Sequence, residues 1–257
     1  VTEMQPFYNK RKKLFQGPSN YQKEIFTKRY GFEKQYARNV LHVNQGISSA
    51  RGLPVYSDLG MMAKVQETDW SWTPLFMDAD NDGLQDLFVT NGFPKDVTDR
   101  DFGDFRVTAS RLETKERLLA AIPEIKISNF IFKNKGAYDF EDYTQKWGLN
   151  FGTYSHGAAY GDLDGDGDLD LVVNNMNDAA SVLVNQLNTN ESEAHWAAFK
   201  LQGPASNKNG IGAELSLYSN SGIQSRYQLT NRGYLSQSDL KLHFGLGITN
   251  QIDSVVV

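Results

Sequence analysis

The chain has 257 residues, of which 40% are hydrophobic and 22% are charged, and its formal net charge is −5. This length and composition predict a folded protein with a sizeable core and argue against extensive disorder. The net negative charge argues against a nucleic-acid-binding protein. The chain lacks cysteine, which excludes disulfides and thiolate metal sites, and it lacks an apolar run long enough to cross a membrane.

Residues 1–38 are basic, with nine lysines and arginines against three acidic residues. We interpret them as the basic, partly helical end of an upstream region, because the sequence opens with neither a methionine nor a signal peptide. The positive charge is typical of a solvated helical face. It also suits an arm that contacts an anionic surface or the acidic body of the same protein.

Two acidic loops of the same form follow, each between two apolar runs. The stretch TPLFMDADNDGLQDLFVTNG (73–92) aligns with GAAYGDLDGDGDLDLVVNN (157–175), and Asp78 falls on Asp162. Upstream of each loop, VLHVNQG (40–46) matches FIFKNKG (130–136). The Asn-x-Gly turns and short apolar runs predict four antiparallel strands in each unit, which is the content of one propeller blade.

The repeat therefore divides the chain into predicted regions. We predict one blade at 39–92 and a second at 130–190, with a helical insertion at 93–129 between them. Apolar residues recur in the insertion near helical spacing and predict a surface helix packed by one face. These residues are Phe105, Ala109, Leu112, Leu119 and Ile122. Short alternating segments predict a truncated β-sandwich-like module at 191–257, so the fold class is mainly β.

Each acidic loop has the spacing of a calcium site. Aspartates at relative positions 1, 3, 5 and 9 offer hard oxygen donors from one side of a tight turn, and glycine at position 6 permits a positive φ. Position 12 is Val89 or Val173 where an EF-hand has glutamate, so each of the two Ca²⁺ ions is expected to hold a β-hairpin. The predicted ligands are Asp78, Asp80, Asp82 and Asp86, then Asp162, Asp164, Asp166 and Asp170, with the backbone carbonyls of Leu84 and Asp168.

These loops resemble the FG-GAP/VCBS repeats of integrin-α-like β-propellers. The segments GIGAELSLY, NRGYLSQSDLKLHFGLG and IDSVVV resemble the ASPIC/UnbV module that often follows such repeats, and the combination resembles VCBS-repeat surface proteins of Bacteroidetes. The resemblance implies β-propeller blades with calcium in their hairpins. It also implies secretion, often with a lipid anchor on the extracellular face of the outer membrane beside SusC/SusD-like nutrient importers. The further blades that a closed propeller needs are expected upstream or in another chain, and any such anchor is expected upstream.

The sequence contains no catalytic motif of the hydrolase, metalloprotease or nucleotide-binding types. We therefore expect a non-enzymatic, calcium-stabilised surface protein that binds a protein or glycan, or an accessory subunit of an outer-membrane complex. The alternative is a propeller-fold lyase or glycosidase with an active site partly outside this chain. Trp70, Trp72 and His156 are candidates for ligand binding, although core packing explains them as well.

Overall fold

A computed structural model describes residues 1–15, 21–33, 36–187 and 194–257. The described residues are mainly β, as predicted, and form six small antiparallel sheets. The helices in the described part of the chain are α1 (Asn9–Leu14), α2 (Tyr21–Tyr30), α3 (Arg100–Ala109) and α4 (Lys115–Ala120). The strands are β1 (His42–Ile47), β2 (Pro54–Asp58), β3 (Ser71–Met77), β4 (Asp86–Asn91), β5 (Ile127–Ser128), β6 (Phe130–Asn134), β7 (Phe140–Asp142), β8 (Gly152–Thr153), β9 (Ser155–Gly161), β10 (Asp170–Asn175), β11 (Ser181–Leu183), β12 (His195–Phe199), β13 (Glu214–Ser219), β14 (Gly222–Tyr227), β15 (Leu242–Gly247) and β16 (Ile252–Val256).

The largest sheet has the strand order β3-β4-β6-β7 and spans the insertion. Its central pairing places Leu87 opposite Phe132 and Val89 opposite Phe130, all of them buried. The sheet thus joins the second hairpin of the first sequence unit to the first hairpin of the next unit. The sequence analysis assigned each blade to one unit, whereas β1 and β2 form a separate two-stranded sheet.

The second acidic loop lies in a three-stranded sheet of order β11-β10-β9. This sheet packs against the larger one over a shared core, which draws on β3, β4, β6, β9 and β10. The core residues are Leu75, Met77, Phe88, Ile131, Leu149, Ala158, Leu169, Leu171 and Val173. Alternate residues of these strands supply the core, as expected for short strands between two packed layers. The described residues do not form a closed propeller.

The insertion is helical as predicted, but its packing differs from the prediction. It contains two short helices, α3 and α4, each capped at its N-terminus by a side chain, Asp99 and Thr114 respectively. The buried residues of α3 are Phe102 and Ala109, whereas Phe105 and Leu119 are exposed and Leu112 is 85% exposed. The single packed face fails because the chain leaves the helix after Ala109, which breaks the periodicity that Leu112 and Leu119 would continue.

The N-terminal segment is helical in part and contacts the acidic body of the protein. Arg11 on α1 is buried and forms ion pairs with Asp69 and Asp96. The neighbouring Lys12 pairs with Glu67 at the surface. The alternative in which the basic arm contacts the acidic body thus applies at Arg11 and Lys12, whereas α2 has no buried residue and fits the solvated helical face. Because both buried aspartates share one guanidinium, Arg11 joins the segment before β3 to the start of the insertion.

The C-terminal region contains two small sheets, β12-β15 and β14-β13-β16. Their shared core comprises Leu215, Leu217, Leu242, Phe244 and Leu246. The short strands of this region were predicted correctly, and its sandwich topology stays a prediction. The first residues of the predicted module, 191–193, lie outside the described residues.

Candidate metal centres

The first acidic loop connects β3 to β4 through a backbone that turns back on itself. Asn81 and Gly83 both adopt positive φ, 56° and 92° respectively. The corresponding Gly167 of the second loop has φ 88°. Glycine at position 6 thus takes the left-handed conformation for which the sequence analysis selected it, because a residue with a Cβ atom is strained there.

Three carboxylates of the first loop converge. Oxygen atoms of Asp78, Asp80 and Asp86 lie within 4.8 Å of one another. Asp78 is 2% exposed, and its Oδ1 atom, like Oδ1 of Asp80, is buried and receives no hydrogen bond from the described residues. A buried carboxylate oxygen without a donor is unfavourable, and a hard cation is the partner that best satisfies it. These residues therefore fit a calcium ion.

The carboxylates of this loop are hard to ionise without a cation. Burial and the charge of Asp82 raise the pKa of Asp78 to about 6. Burial, with smaller contributions from Asp78 and Asp82, raises the pKa of Asp86 to about 7. Hydrogen bonds from backbone amides oppose both shifts without cancelling them.

A lysine from β6 enters the first loop. The ammonium of Lys133 contacts Asp80 and lies 3.0 Å from Oδ2 of Asp82. Asp82 thus faces Lys133 and is not part of the converging trio. The side chain of Leu84, at position 7, is partly exposed. Sequence analysis missed Lys133, because nothing in FIFKNKG marks its lysine as a partner of Asp82, which lies 51 residues earlier.

The second loop brings together Asp162, Asp164 and Asp166, whose oxygen atoms also lie within 4.8 Å of one another. This trio is more exposed than the first. Asp168 is fully buried, and its amide donates to Oδ1 of Asp166 over 3.1 Å. The structure does not place Asp170 within the trio.

The aspartates at position 9 hold strands together through both carboxylate oxygens. Asp86 accepts hydrogen bonds from the amides of Ala79 (3.0 Å) and Asn134 (2.8 Å). Asp170 likewise accepts from the amides of Leu163 and Asn185, each at 2.8 Å. In both loops, position 9 thus ties the acidic turn to the strand or segment that follows in the sheet.

Two asparagines complete this arrangement, and sequence analysis missed both. Asn134 Nδ2 donates to the carbonyl of Gln85 (3.0 Å), and Asn185 Nδ2 donates to that of Leu169 (3.4 Å). Gln85 and Leu169 are both at position 8 of their loops. The available signal was the recurrence of asparagine after an alternating run in HVN, FKN and LVN.

Strand β15 of the C-terminal region covers the first loop. The amide of Gly245 donates to Oδ2 of Asp78 over 3.1 Å, and the amide of Gly247 donates to the carbonyl of Asn81 over 2.8 Å. Nε2 of His243 lies 2.6 Å from Oδ1 of Asn81. Burial lowers the pKa of His243 to about 4, so this contact uses the neutral imidazole. Order in the loop and attachment of the C-terminal region are therefore linked.

The candidate ligand-binding aromatics lie in two separate contacts. The ring of Trp72 lies 4.5 Å from that of His156 and 5.0 Å from that of Tyr234, centroid to centroid. Trp70 instead stacks on Phe93 at 5.0 Å. Nε1 of Trp72 is already bonded to a backbone carbonyl, that of residue 92. The trio of Trp72, His156 and Tyr234 thus packs a C-terminal loop against two strands of the repeats.

Two regions of the chain match known protein families. A family model for an FG-GAP-like repeat matches residues 126–173, and a model named ASPIC and UnbV matches residues 203–257. The chain therefore contains an FG-GAP-like repeat followed by a C-terminal ASPIC/UnbV region, as the resemblance predicted. No curated protein matches it. The FG-GAP match includes β6 through most of β10 and thus the second acidic loop, and the ASPIC/UnbV match includes β15, which covers the first loop.

Proposed function

We propose that this FG-GAP repeat protein is a non-enzymatic, calcium-stabilised binding or accessory protein. The observation that carries the proposal is the pair of buried Oδ1 atoms of Asp78 and Asp80, which have no hydrogen-bond donor among the described residues. The convergence of Asp162, Asp164 and Asp166 supports a second site of the same kind. Such sites stabilise a fold because the ion binds the folded loop and not the unfolded chain.

The residues of the chain would divide this work between them. In the first loop, Asp78, Asp80 and Asp86 would hold the ion, which supplies the positive charge that lets all three carboxylates ionise. Lys133 neutralises part of the charge of Asp82 and Asp80. The amide of Gly245 then fixes the second oxygen of Asp78. Calcium would thereby stabilise the attachment of the ASPIC/UnbV region to the repeats.

The binding role is proposed from the matches to the FG-GAP-like repeat and to the ASPIC/UnbV model. Its partner would be a protein or a glycan, with a SusC/SusD-like complex as the proposed outer-membrane partner. None of the helices among the described residues has the length and apolar content that crossing a bilayer requires. We propose a location on the outer face of the outer membrane or outside the cell. Co-purification with a transporter from native membranes would support it, and recovery from the cytoplasm would contradict it.

The proposal that the protein is not an enzyme is supported by the arrangement of its candidate residues. Trp72 packs against both His156 and Tyr234, and no catalytic motif is present in the sequence. Incubation with a panel of polysaccharides is expected to give no new reducing ends and no unsaturated products. Turnover that is lost in His156→Ala would favour the lyase or glycosidase alternative.

Calcium stabilisation is tested by thermal unfolding of the full chain in calcium and in EGTA. We expect calcium to raise the unfolding temperature by several degrees. Asp78→Asn and Asp162→Asn together should abolish this increase, because each removes a charge from one converging trio. The matched control is Asp253→Asn, an exposed aspartate far from both loops in sequence. Equal unfolding temperatures of the unaltered chain in calcium and in EGTA would contradict the proposal.

A further inference from the structure

The hairpin β1–β2 is a copy of the hairpin β6–β7. Asn44 lies opposite Tyr56 in the first, and Asn134 lies opposite Phe140 in the second. In both, the asparagine Oδ1 accepts a hydrogen bond from the glycine two residues later, at 2.8 Å and 2.9 Å respectively. The two hairpins therefore share their register up to this asparagine and the bond from glycine to it, and beyond that point β1–β2 continues to a pairing of Ile47 with Pro54.

The two hairpins differ in what lies on their other side. The edge of β6 that faces away from β7 pairs with β4. There Asn134 donates its amide to Asp86 and its Nδ2 to the carbonyl of Gln85. The corresponding edge of β1 pairs with no strand among the described residues, and Asn44 Nδ2 has no acceptor there. Accordingly Tyr56 is 57% exposed, whereas its counterpart Phe140 is 4% exposed.

Residues 1–3 lie beside the start of β1, where the last residues of a strand equivalent to β4 would lie. The amine of Val1 donates to the carbonyl of Val40 (3.0 Å), and the amide of Val40 donates back to the carbonyl of Val1 (2.9 Å). In the larger sheet, Val89 of β4 lies opposite Phe130 in the same way. Val40 precedes Asn44 by four residues, as Phe130 precedes Asn134, so Val1 corresponds to Val89.

The next two residues repeat the contacts that end β4. Thr2 Oγ1 donates to the carbonyl of Trp72 (3.1 Å), as Thr90 Oγ1 donates to the carbonyl of His156 (2.6 Å). The amide of Glu3 donates to Asn39 Oδ1 (2.7 Å), as the amide of Asn91 donates to Asn129 Oδ1 (2.8 Å). Three successive residues thus make the contacts of 89–91. The structure fixes both the direction and the register of any strand that enters at Val1.

We infer that the open edge of β1 receives a third acidic-loop hairpin, whose second strand runs antiparallel to β1 and leads directly into Val1. The aspartate at position 9 of that loop would accept a hydrogen bond from the amide of Asn44, and its position-8 carbonyl would accept one from Asn44 Nδ2. The apolar strand would cover Tyr56. This inference rests on backbone pairing and does not depend on the proposed calcium binding.

The test attaches a second copy of residues 71–88 in front of Val1 of the full chain, so that Phe88 of the copy precedes Val1. In this register, Leu87 of the copy lies opposite His42, as Leu87 lies opposite Phe132 in the larger sheet. Because the chain lacks cysteine, Leu87→Cys in the copy and His42→Cys form the only possible intramolecular disulfide. The control has one serine inserted before Val1, which turns every side chain of the new strand to the opposite face.

We expect the disulfide to form in the extended chain and to be at least tenfold less abundant in the serine control. We also expect the amides of His42 and Asn44, which face the new strand as the amide of Val40 faces Val1, to exchange with solvent at least tenfold more slowly in the extended chain without the cysteines. Disulfide yields equal to those of the control, together with unchanged exchange, would overturn the inference. Running both assays in EGTA separates this outcome from any failure of calcium binding.

Discussion

At the scale of single residues, aspartates that look equivalent in the sequence differ in how many of their oxygen atoms accept backbone hydrogen bonds. Asp78 and Asp80 each have a buried oxygen that receives no hydrogen bond from any residue that the structure describes. Asp86 and Asp170 use both oxygens to accept backbone hydrogen bonds from neighbouring segments. Spacing predicted where the carboxylates lie. It did not predict which of them are held by amides, because those donors come from residues distant in sequence.

The raised pKa values make calcium stabilisation depend on pH. The pKa of Asp78 is about 6 and that of Asp86 about 7 in the folded chain, above their ordinary value of 3.8. The folded state therefore binds more protons than the unfolded state between pH 4 and 7, and without calcium the free energy of unfolding falls as pH rises through that range. Calcium requires the ionised carboxylates, so its stabilising effect should grow over the same interval.

Urea unfolding at pH 5 and pH 7.5, with calcium and with EGTA, measures both trends. We expect the difference in free energy of unfolding between calcium and EGTA to be larger at pH 7.5. A difference that is the same at both pH values would contradict the assignment of these carboxylates as calcium ligands.

Arg11 should be one of the most sensitive positions outside the loops. Arg11→Ala leaves Asp69 and Asp96 buried without their cation, which should lower the free energy of unfolding by about 3–5 kcal/mol. Lys12→Ala removes a more exposed ion pair with Glu67 and should cost less than about 1 kcal/mol. Urea unfolding of the two variants checks the contrast, and equal losses would show that burial of the Arg11 pairs is unimportant.

At the scale of elements, the sequence was sufficient for the strands and insufficient for their grouping. Asn-x-Gly turns and apolar runs predicted β1, β4, β6 and β10 near their observed positions. The pairing of β4 with β6 across the insertion depends on contacts such as Asn134 with Asp86, which no local pattern reveals. The packing of α3 was missed for a related reason, because helical spacing in the insertion does not show which face meets the sheets.

Asn134 and Asn44 occupy equivalent positions, so their variants test whether the hydrogen bond from Asn134 to Gln85 stabilises the pairing of β6 with β4. Asn134→Ala removes the bond from Nδ2 to the carbonyl of Gln85 and should lower the free energy of unfolding by about 1–2 kcal/mol. Asn44→Ala removes only the turn bond to Gly46 and should cost less, by at least about 0.5 kcal/mol. Guanidinium unfolding of both variants measures the difference. An equal or larger loss of free energy of unfolding in Asn44→Ala would contradict a stabilising role for the bond from Asn134 to Gln85.

Close approach of β15 to the first loop leaves no room for a side chain at Gly245. A Cβ atom there would lie 2.3 Å from Oδ2 of Asp78 and 2.5 Å from the backbone of Asn81. Gly245→Ala should therefore lower the free energy of unfolding by about 1–3 kcal/mol and speed amide exchange in residues 242–247. Gly161→Ala, whose Cβ would meet only Asp239 at 3.4 Å, is the control and should change neither. Unaltered exchange in Gly245→Ala would contradict the contact.

At the scale of the whole molecule, both ends of the chain are attached to the repeats. Arg11 joins the N-terminal segment to buried aspartates of the body. Gly245 and Gly247 join the ASPIC/UnbV region to the first acidic loop. Composition and spacing predicted the basic segment and the C-terminal strands, but the contacts that join them to the repeats involve isolated residues. An ion in the first loop would therefore affect the attachment of the C-terminal region as well as one hairpin.

The most direct measurement is isothermal titration of calcium into chelator-treated protein at pH 7.5. The account predicts binding of two calcium ions per chain, reduced to one in Asp78→Asn and also to one in Asp162→Asn, with the Asp253→Asn control unchanged. Absence of binding heat in the unaltered chain, confirmed by equilibrium dialysis with no calcium retained, would contradict the account.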